Sequence, residues 1–384
     1  MLEEGVRLLT ALFALAAAAL ACAGAPARGP VLPAANAPAE GRDLLPEARL
    51  LFRVAACRGD APVPPAWQPV VDAHCARLAP LMDGYQRGWL AVATPFLAQL
   101  LPKNLPPWVV YPFGGGDLLS ALATFPDASE ITTISLEPAG DLRTLSARTP
   151  AELAPALEML RDHLERFFRK AHSKTENLEK ETQSALPGEL SFSLVALAVF
   201  GFEPAGLRYL ALLPDGRLRY LPDAELGQQG AFLHVELEFR RPADASPARR
   251  LRHFAVNLHD DSLTRDPSLL RHLERKGTVA AMTTAASHLL WSAGFSRLRA
   301  YLFAAAPWMI SDDTGPAPRQ AAAQGFSQDT YGRYEGPEKF GTWNDRDGAD
   351  LAALFAKNGG GELPFRYGYP DRASHGHIVV TKKK

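Results

Sequence analysis

The chain has 384 residues, 47% of them hydrophobic, and its 41 Lys and Arg nearly balance 42 Asp and Glu, leaving a formal charge of −1. That length supports one large domain or two ordinary ones with a substantial core. A near-neutral chain carries no electrostatic footprint for nucleic acid, so no nucleic-acid partner is expected.

Arg7 precedes an apolar run, Leu8 to Ala21, interrupted by Thr10 and followed by Cys22 and small residues. The run is short for a membrane span and suits the apolar region of a signal peptide, although Glu3 and Glu4 depart from a positive start. Ala19-Leu20-Ala21-Cys22 fits a bacterial lipobox, in which Cys22 is lipidated and becomes the mature N-terminus; ordinary cleavage after Ala23 or Ala25 is the alternative. Residues 1–22 therefore read as a signal peptide. Residues 23–41, rich in Ala, Pro and Gly, read as a flexible tether. Residues 42–384 read as a single large α/β domain, with two lobes split near residue 205 as the variant. The expected location is the periplasm or outer membrane, with the membrane as partner through the lipid anchor. Cys57 and Cys75, eighteen residues apart, can form a disulfide in such a compartment.

Leu44 to Ala56, Trp67 to Met82 and Trp89 to Leu101 have helical spacing. Trp108 to Phe113 reads as a strand, Gly114 to Asp117 as a glycine loop, Leu118 to Phe125 as a short helix, and Ile131 to Leu136 as a second strand closing on Glu137. Thr149, Pro150 and Glu152 form a capping box ahead of an amphipathic helix whose apolar positions run from Leu153 to Ala171. Ser173 to Gln183 reads as a solvated extension. Leu190 to Phe202 is almost wholly apolar and fits a buried strand or a buried helix. Leu207 to Leu213 and Arg217 to Leu221 flank Pro214-Asp215-Gly216, a hairpin signal. Ala231 to Phe239 and Arg252 to Leu258 alternate, predicting an antiparallel meander with the face bearing His234, Glu236 and Glu238 wet. Asp266-Pro267 opens a helix ending at Gly277, Thr278 to Ala306 has helical character, and the chain from Ala317 reads as irregular, with Lys382 to Lys384 a solvated end.

Three groups of residues can carry chemistry. Glycines after a strand let backbone approach a ligand, and amides opening the next helix can hold an anion. Glu137 stands about twenty residues on, where dinucleotide and methyl-donor sites place a ribose-binding acid. Gly114, Gly115, Gly116, Asp117 and Glu137 are thus the candidate ligand-binding residues. The spacing is not G-x-G-x-x-G, and Asp117 also suits a helix N-cap. Asp312-Asp313-Thr314-Gly315 resembles the loop of aspartic proteases, but a second such loop is missing and Pro316 follows; a turn role is the simpler reading. His253, His259, Asp260, Asp261, His375 and His377 match no strong metal spacing, and no metal or cofactor is specified.

Val109-Val110-Tyr111-Pro112-Phe113-Gly114-Gly115-Gly116-Asp117-Leu118-Leu119, Ser311-Asp312-Asp313-Thr314-Gly315-Pro316 and Tyr331-Gly332-Arg333-Tyr334-Glu335-Gly336-Pro337 resemble segments of a group of uncharacterised exported bacterial proteins. The resemblance implies one shared architecture over the chain after the tether, and no activity. The expected fold is α/β with a mixed sheet: a Rossmann-like strand–loop–helix–strand unit, then an antiparallel meander and helices. The leading functional expectation is a lipid-anchored envelope protein binding a small ligand or protein partner at Gly114–Asp117. The alternatives are an enzyme, hydrolase- or transferase-like, using Asp117, Glu137, Asp312 and Asp313 in one cleft, and a Rossmann-like domain that has kept its shape without a cofactor.

Overall fold

The computed structural model describes residues 41–170, 186–242, 244–334, 336, 345–358, 361–368 and 376–384. The expected signal peptide, Cys22, the tether up to residue 40, the segment Ser173–Gln183 and His375 lie outside the described residues.

Five parallel strands form the centre of a ten-stranded mixed sheet, flanked by eleven described α-helices. They are β1 (Trp108–Pro112), β2 (Glu130–Ser135), β6 (Arg249–Ala255), β7 (Ala280–Thr283) and β8 (Trp308–Ser311). They lie in the order β6-β2-β1-β7-β8, and ranked first to fifth along the chain this is 3-2-1-4-5, the doubly wound arrangement. β1 pairs in parallel with β2 on one side and β7 on the other. The sheet is extended antiparallel at both ends. β5 (His234–Arg240), β3 (Glu203–Leu212) and β4 (Leu218–Tyr220) continue from β6, and β10 (His377–Lys383) and β9 (Phe326–Gly332) continue from β8. The meander is therefore an arm of one sheet that also contains the Rossmann-like unit.

One face carries α1 (Leu45–Ala55), α2 (Gln68–Tyr85), α3 (Ala91–Leu100), α4 (Leu118–Thr124), α5 (Pro150–Lys170) and α6 (Gly188–Val199) over a core including Tyr111, Ile131 and Leu251. The other carries α7 (Asp260–Arg265), α8 (Ser268–Glu274), α9 (Ser296–Ala305) and α10 (Pro318–Ala323) over Val110, Ile134 and Phe254. α11 (Asp345–Asn358) packs Leu351 and Phe355 near Trp291 and Val379. The α5 capping box forms as its residues predict: the Thr149 amide donates to Glu152 Oε2 at 2.7 Å, and the Glu152 amide donates to Thr149 Oγ1 at 3.3 Å.

Several elements differ from the sequence expectation. The apolar run after residue 190 is helix α6, and every residue from Glu189 to Val199 is buried, which is why it shows no polar stripe. The stretch Thr278–Ala306 contains strand β7 before helix α9; all four β7 residues are buried on both faces, so nothing alternates. The C-terminal part is not irregular: it forms α10, β9, α11 and β10, and Lys382 lies in β10, paired with Trp308 and Ser327, while its side chain stays exposed. β9 is an edge strand of mainly polar residues, which hides it from hydrophobic patterning. The supposedly wet face of β5 is partly covered: Glu236 is 1% exposed. Its carboxylate accepts from Arg252 Nε at 2.7 Å and Tyr220 Oη at 2.6 Å, and Arg252 Nη1 reaches Glu130 at 2.8 Å, with Lys276 also paired to Glu130. Two carboxylates and two cations thus satisfy one another across β5, β6 and β2.

Two outcomes follow. Cys57 and Cys75 form a disulfide joining the end of α1 to α2, and closing a loop of this length stabilises by about 3 kcal/mol in the chain-entropy view. Reducing agent should lower the melting temperature; an unchanged melt with two titratable thiols would contradict the bridge. For Glu130, burial alone would raise its pKa, but Lys276 and Arg252 outweigh burial and bring it down to about 2 from the ordinary 4.5. Its contribution is present above that ordinary value and fades as pH falls through about 2. Glu130→Gln should cost about 3 kcal/mol at neutral pH and flatten the acid limb of a denaturation-versus-pH curve.

Candidate functional site

The glycine loop follows β1 as expected, and its chemistry is inward. A Cβ on Gly114 would lie 2.6 Å from the Tyr111 ring, and Gly115 has φ +47°, so neither position accepts a side chain without strain. All three glycines are buried. The Gly114 amide donates to the Tyr111 carbonyl and the Asp117 amide to the Gly114 carbonyl, closing the loop on itself. Asp117 is the N-cap of α4: the Ser120 amide donates to its Oδ1 at 2.9 Å, and Tyr111 Oη donates to its Oδ2 at 2.8 Å. Burial raises the Asp117 carboxyl to about 7, against the opposing pull of those hydrogen bonds.

Glu137 follows β2 but is turned inside, 1% exposed. Its amide donates to Ser135 Oγ, and its carbonyl accepts from His253 Nε2 at 2.8 Å. The residue that reaches solvent there is Leu136, 54% exposed. A ribose-binding acid has to present its carboxylate to the cleft; here the position facing outward is apolar, which corrects the expectation for Glu137.

The Asp-Asp-Thr-Gly segment leaves β8 and clamps the loop after β7. Asp312 Oδ2 accepts from the Ala285 amide at 2.8 Å, and its Oδ1 accepts from the Thr314 amide at 2.8 Å and from Thr314 Oγ1. Thr314 Oγ1 accepts in turn from the Ala286 amide at 3.0 Å. Asp313 lies between His288 Nε2, 3.1 Å, and His377 Nε2, 3.2 Å. Burial raises Asp312, and the neighbouring Asp313 adds to that; burial works against ionised Asp313, yet His377 and His288 hold it below the usual carboxylate range. The protease-like reading falls away, because these carboxylates support backbone and histidines and do not share a proton in an open cleft.

What the clamp holds is strained. Ala285, Ser287 and His288 have φ of 51°, 46° and 55°, and after the adjacent strand β1 Phe113 has φ 64°; these are four of the five non-glycine residues with positive φ among those described. Strain of this kind persists only where surrounding structure enforces it, and it gathers at functional sites. Between these two strained loops opens a pocket of about 320 Å³, lined by residues that follow β1 (Phe113), β2 (Leu136), β6 (Val256, Asn257, Leu258) and β7 (Ala285, Ala286, Ser287, Leu289), with Ser135 at the end of β2 and Phe295 beside them. Phe113 and Phe295 meet edge to face at 5.7 Å, and His259 stands against Phe295 at 5.5 Å. No lining residue is charged, and the polar groups are Ser135, Asn257 and Ser287. A larger groove, about 660 Å³, lies between α8 and α9 beside Gly277 and Thr278, before β7 and so at the opposite end of the strands.

The four candidate carboxylates therefore lie along one end of the sheet without lining its pocket: Asp117, Asp312 and Asp313 are each engaged by buried partners, and the Glu137 carboxyl is buried near enough to Glu189 to raise it. His253 also turns inward, with Nδ1 3.1 Å from Thr133 Oγ1, and His259 N-caps α7. Among the described residues no group of three or more His, Cys, Asp or Glu is placed to hold a metal ion. Residues that sequence reasoning did not single out, Val256, Asn257, Ala285, Ala286, Ser287 and Leu289, line the opening; their signal was position after a strand, and β7 itself was not visible. No family model, no curated protein and no solved structure matches the chain.

The clamp predicts that Asp312→Asn, which turns an amide donor toward one of the backbone amides Asp312 now accepts from, lowers unfolding free energy by about 3 kcal/mol in denaturant titration; wild-type stability would show that the 285–288 loop does not depend on it. Because the Asp117 carboxyl is raised above its unfolded value, folding favours its protonated form and stability falls as pH rises through about 7. Asp117→Asn should remove that decline from melting curves between pH 5 and 8.

Proposed function

We propose that the protein is an exported envelope protein, anchored through lipidated Cys22, whose folded domain binds a small, uncharged and largely apolar ligand in the pocket between Phe113, Val256 and Phe295. The observation that carries this reading is the coincidence of an open cavity with the switch point of the sheet. β2 and β6 lie on one side of β1, β7 and β8 on the other, and ligands of open α/β sheets settle in the crevice at that divergence. The cavity is at the small end of the range for ligand pockets. Its apolar walls favour a flat or aliphatic group, and its few hydroxyl and amide groups suit a single polar end. The uncharged lining argues against a phosphate-bearing cofactor. The carboxylate-enzyme alternative finds no support in the lining. Export is supported by the apolar N-terminal run, the cysteine that follows it, and a disulfide suited to an oxidising compartment.

Binding is tested with the neutral fluorophore N-phenyl-1-naphthylamine. Saturable fluorescence enhancement is expected for the wild type. Val256→Trp, which fills a partly buried pocket wall, should weaken it about tenfold with an unchanged fold, a change of about 1.4 kcal/mol; equal binding by both would overturn the assignment. Cys22→Ser should move the protein from the membrane fraction to the soluble one, and unchanged partitioning would contradict lipidation.

A further inference from the structure

The pocket opens on apolar surface. Among the described residues the large hydrophobic side chains left exposed are Val92, Leu136 and Leu233, and the last two stand at the carboxyl end of the parallel strands. Leu136 follows β2 and lines the pocket. His234 pairs with Phe254, so Leu233 lies level with the end of β6. The chain after Leu136 runs past it: the Ala139 amide donates to the Leu233 carbonyl at 3.4 Å, and the Gly140 amide to the Phe232 carbonyl at 3.2 Å. Around the mouth Phe113, Val256, Leu289 and Phe295 are each half-buried. Single exposed leucines are ordinary, whereas an apolar rim around an opening marks a surface that meets something apolar.

The chain enters the fold at this same end. Tyr220, Leu210, His234, Phe254, Ile134 and Pro112 are cross-strand partners in turn, a row over six strands that stops one residue before Phe113. Gly41, first of the described residues, lies on that row: a Cβ there would be 2.5 Å from the Tyr220 Cβ, and the Arg42 amide donates to the Leu221 carbonyl. The Leu44 amide then donates to the carbonyl of Leu207, three residues before Leu210, so the chain runs from the row toward the amino ends of the parallel strands. Cys22 stands 19 positions before Gly41. A coil of that length spans about 25 Å, comparable with the row itself.

We propose that the apolar rim is a membrane-docking face: Leu136 and Leu233 enter the bilayer that holds the Cys22 anchor, and the ligand of the pocket is one dissolved in that bilayer. The inference rests on the anchored, apolar-ligand reading above. Its physical reason is partition. A neutral apolar molecule is far more concentrated in a bilayer than in water, so a pocket with apolar walls gains by opening there. The rim residues, like the lining, carry no charge, so the mouth meets hydrocarbon without placing an unpaired charge in it, which is the costly step in membrane contact. An anchor at Cys22 keeps the domain at the surface, so the two leucines have to supply orientation and little affinity.

The test uses the full-length, lipidated protein reconstituted into vesicles of phosphatidylethanolamine and phosphatidylglycerol that carry a doxyl-labelled lipid. Leu136→Cys, Leu233→Cys and Ser246→Cys variants each receive a nitrobenzoxadiazole label; Cys57 and Cys75 are joined to one another and do not react. Ser246 is the reference position, exposed in the turn between β5 and β6 at the far end of those strands. All three positions are on the surface, so each variant should melt as the wild type does. The doxyl lipid should quench the labels at 136 and 233 about threefold more than the label at 246. Equal quenching at the three positions would overturn the proposal. So would labels at 136 and 233 shielded from aqueous iodide without lipid quenching, as a protein partner or a second copy would leave them. Protein found outside the vesicle fraction would overturn the anchor and the docking together. Lipid quenching in a protein that fails to bind N-phenyl-1-naphthylamine would cancel the ligand and leave the docking face standing, so the two readings fail separately.

Discussion

The architecture depends on β1 having parallel partners on both sides whose connections leave in different directions. β2 follows β1 through the glycine loop and α4, whereas β7 arrives after the whole antiparallel arm and two helices. Two loops must therefore separate at the carboxyl end of β1, and backbone cannot fill the space between them. In this protein the separation is divided. Glu189 and Phe192 fill the side over the glycines, and the side between Phe113, Val256 and Phe295 stays open. The functional proposal is a consequence of that division.

The polar groups at this end of the sheet act mainly on one another. Asp312 and Thr314 hold the amides of Ala285 and Ala286, and Asp313 pairs with His288 and His377. Each bond satisfies a buried group that would otherwise carry a desolvation cost, and together they hold the loop in which Ala285, Ser287 and His288 take the left-handed region. Acidic residues at the carboxyl end of a parallel sheet suggest catalysis when read as a string. Their hydrogen bonds assign them to support, with the pocket wall left to apolar side chains.

Much of the central unit was legible in the sequence. The run Trp108–Phe113, the glycines and Asp117 specified strand, turn and N-capped helix, because each state has a local chemical requirement that those residues meet. The capping box at Thr149 and the hairpin at Pro214–Gly216 were visible for the same reason. What was hidden depends on tertiary burial. β7 is too short and too uniformly apolar to show a period, α6 is buried all round, and β9 is a polar edge strand. Glu236 looked wet because its cover comes from Arg252 on the neighbouring strand and Tyr220 two strands away. Glu137 was placed correctly along the chain, but the inward turn that exposes Leu136 in its stead depends on His253, more than a hundred residues away. The plug at the glycine loop comes from Glu189, remote in sequence, so no reading of the loop alone could find it.

The most direct measurement is a crystallographic soak of the protein with two sets of fragments, one of neutral aromatic and aliphatic compounds and one of small carboxylates and phosphates. The account predicts density for neutral fragments between Phe113 and Phe295, with Glu189 still seated on Gly115 and Gly116 and no anion at the loop. Anionic fragments bound at Gly114–Gly116 with Glu189 displaced, and an empty pocket at Phe113, would contradict it.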